Sequence, residues 1–110
     1  KMYKNHAINS KNMNTVKSVI LDISGGGISF SLSTPLEEGT YVMAQFSLAL
    51  EECTQQFNIV CKVINCTQSL DYADRYFARS KFIFDRMTER EKIVRFVFEE
   101  ERRIRRREME

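Results

Sequence analysis

The chain has 110 residues, enough for one domain with a modest hydrophobic core and no need of disulfide or metal staples. At 43% hydrophobic and 29% charged it reads as globular, and a formal net charge of +2 is too small to argue for nucleic acid by itself. No apolar run approaches the about 20 residues of a membrane span, no secretory signal pattern opens the chain, and the odd set Cys53, Cys61 and Cys66 cannot form a complete disulfide framework. A cytoplasmic location without membrane insertion is therefore expected.

Residues 1–14, KMYKNHAINSKNMN, are polar and asparagine-rich. They read as an N-terminal arm or the remnant of a preceding linker, with room for a short strand near Ala7 and Ile8. The opening Lys1-Met2 reads as a piece of a longer protein. From Thr15 the chain turns β-branched and alternating, and TVKSVILDI places Val19, Leu21 and Ile23 on one side of a strand. ISFSLS puts Ile28, Phe30 and Leu32 on one face and serines on the other. After the turn signal TPLEEGT, YVMAQFSLAL aligns Val42, Ala44, Phe46 and Leu48. FNIVCKVI aligns Phe57, Ile59, Cys61 and Val63, with EECTQQ and NCTQSLDYADR as polar connections. YFARSKFIF aligns Tyr76, Ala78, Ser80, Phe82 and Phe84.

Beyond Asp85 the hydrophobic period becomes helical. Thr88 with Glu91 forms a capping-box signature, and Ile93, Phe96, Val97 and Ile104 recur at helical spacing, so one stripe can dock on a sheet. The arginines of RRIRRRE sit near Glu99, Glu100 and Glu101, as in a solvated helix laced with i,i+4 pairs rather than a DNA or RNA grip. The expected order is an arm over 1–14, an antiparallel barrel or sandwich over 15–86 and a helix over 87–110.

The most unusual stretch is LDISGGGISF, Leu21 to Phe30, with three of the chain's four glycines in one run. Asp22 and Ser24 are two apart on a strand end, so their side chains share a side. Gly25, Gly26 and Gly27 follow, and glycine there allows a sharp turn and close approach of another molecule. A carboxylate can accept two hydrogen bonds from one planar edge, such as the N1–H and amino group of guanine. The same residues are also good turn chemistry, with Asp and Ser bonding their own backbone. No Gly-Lys-Ser/Thr ends the run, and a strand follows where a dinucleotide fingerprint would need a helix.

DISGGG resembles the Asp/Asn-x-Ser-x-x-Gly motif of the PilZ domain, with Asp22, Ser24 and Gly27 in the three fixed places. The strand, motif, strand, proline turn and strand of ILDISGGGISFSLSTPLEEGTYVMAQF follow the same pattern. The closing KFIFDRMTEREKIVRFVFEEERRIRRRE is similar to the end of YcgR-like flagellar brake proteins, so the likeness runs from about Val16 to Arg107. What it implies is a mainly β protein: a six-stranded antiparallel PilZ-type β-barrel with a C-terminal α-helix. It further implies a receptor module for the bacterial second messenger cyclic di-GMP that controls motility or surface behaviour. Asp22 and Ser24 would contact guanine and Gly27 would permit the turn; beside that, the residues themselves suggest that the amides of Gly25, Gly26 and Gly27 can approach anionic oxygens. The ligand would act as a switch and would not be turned over. An N-terminal YcgR-type domain and a protein partner such as the flagellar motor would complete the assembly.

PilZ sites also use an Arg-x-x-x-Arg arm before the first strand, whose guanidinium groups grip phosphate and stack on guanine. This chain has no arginine before Arg75; its opening offers Lys1 and Lys4. Weak or no cyclic di-GMP binding by these 110 residues is the expectation, with the arm ahead of Lys1 in a longer, binding-competent parent; the alternative is a degenerate PilZ adaptor that acts through protein contacts without nucleotide. Arg79 is a further candidate ligand residue, because the last strand of an antiparallel barrel can lie beside the motif. No metal site or cofactor is expected, since the cysteine spacing fits no zinc pattern and His6 is remote in sequence. One histidine and no nucleophile elbow argue against an enzyme.

Overall fold

The structure, a computed structural model, describes residues 3–10, 15–50 and 53–109, and the side chains of residues 18–50 and 53–108. In chain order the described residues form β1 (Tyr3–Ser10), β2 (Thr15–Ile23), β3 (Gly27–Leu32), β4 (Tyr41–Ala49), β5 (Thr54–Gln68), β6 (Tyr76–Ile83) and α1 (Met87–Met109). Five strands make a continuous antiparallel sheet in the order β2-β3-β6-β5-β4. β1 closes it by pairing antiparallel with β2 on one side and β4 on the other. The protein is thus mainly β, with a C-terminal helix.

β1 occupies the segment that reads from sequence as an arm, and it extends well beyond Ala7 and Ile8. Its Ala7 lies opposite both Lys17 and Gln45. Main-chain hydrogen bonds to two neighbours hold such a strand whatever its side chains, so polar composition does not reveal it. The side chains of Lys1, Lys4 and His6 lie outside the described residues.

The core is built from the alternating faces of β3 to β6. Phe30, Leu32, Val42, Ala44, Leu48, Cys61, Val63 and Ala78 are almost wholly buried, and Phe46 stacks on Phe57 at 5.5 Å and on Phe82 at 6.2 Å. β2 departs from the expected face. Ser18, Ile20 and Ile23 are buried, while Val19 and Leu21 are half-buried. The cause is a register shift between Ile20 and Asp22, which inserts Leu21 as an extra residue and flips the alternation. β5 runs on through the polar Asn65–Gln68, with a second register shift between Val63 and Asn65.

α1 starts at Met87, so Thr88 lies inside the first turn instead of capping it. Ile93 and Phe96 join the barrel core and Val97 packs against it, whereas Ile104 is exposed. The pairs Arg95–Glu99 (3.1 Å) and Arg103–Glu100 (2.6 Å) lace the helix as its charge pattern suggests. Glu99, however, is buried at the docked face, and its Oε2 has no hydrogen-bond partner.

Candidate functional site

The pairing of β3 with β6 builds the site, because it joins segments about fifty residues apart in sequence. Two rows of outward-facing residues cross the sheet. One runs Asp22 (β2), Ser29 (β3), Arg79 (β6), Asn65 (β5). The other runs Gly27 (β3), Lys81 (β6), Lys62 (β5), Tyr41 (β4). Neighbouring strands lie about 4.8 Å apart, so each row spans roughly 14 Å of surface.

The bulge at Leu21 turns Asp22 outward at the edge of the loop. Its carboxylate is exposed, with no hydrogen bond or ion pair to any of the described residues. The Ser24 hydroxyl, in contrast, is engaged by its own loop. It accepts from the N–H of Gly26 (3.3 Å) and of Gly27 (3.2 Å), and it lies 3.3 Å from the Gly27 carbonyl. The Ser24 N–H donates to that carbonyl at 2.9 Å. This is the self-bonded turn chemistry of serine, and it fixes the loop beside Asp22. The loop is tied to β6 as well, where the Phe82 N–H donates to the Gly26 carbonyl at 2.8 Å.

The three glycines do different work, and the turn conformation is not among it. The positive φ among the glycines belongs to Gly39, at 87°. Gly27 is needed because a Cβ there would overlap the Ser80 carbonyl oxygen and crowd the Lys81 Cα. This corrects the turn role implied for it. A Cβ on Gly25 would meet Val94 Cγ2 at 3.1 Å, so α1 sits directly on that residue. Gly26 has open space beside it.

A cleft of about 290 Å³ opens between the loop and β6, lined by Asp22, Ser24, Gly26, Gly27, Arg79 and Lys81 together with Ile28, Ser29, Ile64 and Ser80. Of the residues singled out from sequence, Asp22, Ser24, Gly26, Gly27 and Arg79 are therefore brought together. Gly25 is not; it faces the helix. Lys81 and Ile64 went unnoticed in the sequence. Lys81 follows Arg79 by two and shares its face, so the period-2 pattern carried that signal once β6 was placed beside β3. Ile64 is the extra residue of the β5 bulge, which no local pattern announces.

The cleft offers an acid at one end and two cations at the other, with main-chain groups between them. That arrangement suits a ligand with a hydrogen-bonding heterocycle and an anionic group. No group of three or more His, Cys, Asp or Glu able to hold a metal occurs among the described residues. Cys61 lies in the core, where burial pushes its thiol up to about 12 against the opposing hydrogen bond with Ser80. A thiol held protonated is a poor nucleophile. No helix among the described residues is long and apolar enough to cross a membrane.

Among solved structures, the chain is similar to the Bacillus subtilis inhibitor of motility MotI/DgrA, with a TM-score of 0.74 at 13% identity, covering 91% of this chain and 49% of that one. It is also similar to K. pneumonia MrkH in its apo state, with a TM-score of 0.64 at 18% identity, covering 94% of this chain and 51% of that one. The chain spans about half the length of both, and at these identities the likeness is one of fold. No curated protein matches it in sequence. The family model for the PilZ domain matches residues 4–99, which takes in all of the barrel strands but the first residue of β1, and much of the helix. With the Asp22-Ser24-Gly27 motif set on an antiparallel barrel, the chain belongs to the PilZ domain family, a family of cyclic di-GMP-binding modules.

Proposed function

We propose that this chain is a cyclic di-GMP receptor module of the YcgR-like kind, which binds the nucleotide at the Asp22 cleft and passes its presence to a motility or surface-behaviour partner. The observation that carries the reading is the state of Asp22. Its carboxylate is exposed and unpartnered among the described residues, at the rim of a cleft that also holds Arg79 and Lys81. An acceptor in that state is available to the N1–H and amino edge of guanine, while the cations meet phosphate. The name of MotI, an inhibitor of motility, supports the choice of output by likeness of fold. The other half of the assembly, an N-terminal domain and a motor-type partner, belongs to the same proposal.

A second reading, a nucleotide-free adaptor, is favoured by one detail. The Ser24 hydroxyl is already bonded to the amides of Gly26 and Gly27, so this part of the motif is satisfied without a ligand. No Arg-x-x-x-Arg occurs ahead of Asp22 in these residues.

Calorimetric titration of cyclic di-GMP into the chain and into Asp22→Ala separates the two. The receptor reading expects saturable binding that the substitution weakens by about 2–5 kcal/mol. Identical heats of binding from the two proteins would leave the adaptor reading standing; with no heat from either, the same pair of titrations on a chain carrying an Arg-x-x-x-Arg arm ahead of Asp22 decides.

A further inference from the structure

The 290 Å³ cleft is small beside ordinary ligand pockets of about 300–1,000 Å³. A cyclic dinucleotide carries two bases and two phosphates, and this space encloses part of it. A second cleft of about 680 Å³ adjoins the first, sharing Ile64 and Lys81 with it and adding Glu38, Gly39, Lys62 and Val63. Lys81 therefore stands on the ridge between the two.

Lys81 and Lys62 are directly opposite each other across β6 and β5. Facing like charges destabilise a sheet, and among the described residues neither ammonium forms an ion pair. Lys62 Nζ lies 5.7 Å from the centroid of the Tyr41 ring, which holds it on the outer surface of the barrel. Glu38, the one acid lining the second cleft, is exposed and pairs with neither lysine. Two flexible ammonium groups on adjacent strands can converge on a single phosphate. An anion between them turns a repulsive pair into a favourable one.

We infer that Lys81 and Lys62 form a phosphate subsite that continues the Asp22 cleft across β6 and β5 and takes a phosphodiester of the bound nucleotide. The identity of the nucleotide rests on the guanine reading of Asp22; the anion subsite itself rests on the lysine pair and the second cleft.

The test is titration of cyclic di-GMP at several salt concentrations into the wild-type chain, Lys62→Gln, Lys81→Gln, Asp22→Ala and, as a charge-matched control, Lys92→Gln on the exposed face of α1. Each cleft lysine substitution is expected to weaken binding about tenfold and to flatten its salt dependence, while the control does neither. Lysine variants that behave like the control overturn the subsite, and if Asp22→Ala still abolishes binding, the guanine reading survives that loss. Weakening by the lysine variants with an unaffected Asp22→Ala sinks the guanine reading and keeps the subsite. If the wild-type chain binds no nucleotide, titration with inorganic pyrophosphate followed by amide NMR decides. Saturable shifts at Gly27, Lys62 and Lys81 support the subsite, and their absence overturns it.

Discussion

The main chain of Gly27 runs so close to Ser80 that a single methyl group at Gly27 would overlap the Ser80 carbonyl oxygen. Gly27 and Lys81 are the first pair of the β3–β6 ladder, and that ladder joins the motif to the cations. Gly27→Ala is expected to cost about 1–3 kcal/mol of stability through overpacking, read as a lowered urea midpoint. Gly26→Ala, with open space at its Cβ, should stay within about 0.5 kcal/mol of wild type. Equal midpoints for the two variants would show that the close approach does not govern this turn.

The contact between Gly25 and Val94 couples the loop to the helix. A Cβ at Gly25 meets Val94 Cγ2 at 3.1 Å, a distance at which one partner must yield. Gly25→Ala and Val94→Ala should each destabilise the protein, and the double variant should be less destabilised than the sum, because shortening Val94 removes the clash. An interaction energy of about 0.5–3 kcal/mol is the range for residues in contact. A double-mutant cycle in urea measures it, and strict additivity would place the helix off the loop in solution.

Cys61 gives a pH signature. Its thiol is raised from 9.0 to about 12 in the fold, chiefly by desolvation. Between those values the folded state keeps a proton that the unfolded chain releases. Folded Cys61 therefore contributes stability that is fully present below pH 9 and lost as pH rises toward 12. The stability difference between wild type and Cys61→Ala should shrink as pH climbs through that window. A difference that stays constant would mean that the thiol titrates alike in both states. In the native protein the exposed Cys53 should react with an alkylating reagent while Cys61 stays protected.

Much of this architecture was legible in the sequence where burial follows strict alternation. The inward faces of β3, β4, β5 and β6 run as the hydrophobic pattern says, from Ile28 to Phe82. The pattern fails where the chain inserts a residue. Leu21 in β2 and Ile64 in β5 each shift the register, so Ile20 takes the buried place that Leu21 was expected to fill. The extent of β1 beyond Ala7 and Ile8 is not legible, because its hydrogen bonds, unlike its side chains, leave no trace in composition. Spacing puts the acid and hydroxyl of the loop on one side, but only the resemblance to the PilZ motif marks them as a site, and Arg79 follows from the logic of an antiparallel barrel. Lys81 and Lys62 could not, since their meaning comes from which strands are neighbours, a property of the closed sheet and not of any window of sequence.

Because β1 hydrogen-bonds to both β2 and β4, every strand of the barrel has two partners. Those ladders are not full length: among the described residues, 46–49 of β4 pair with β5 alone and 65–68 of β5 with β6 alone, so short stretches of free edge remain beside the paired ones. Another protein could therefore add a strand only along those short stretches, and elsewhere it would meet side chains on the barrel wall, the loops or the helix. The same pairing leaves stray chains only a short template for edge-to-edge aggregation.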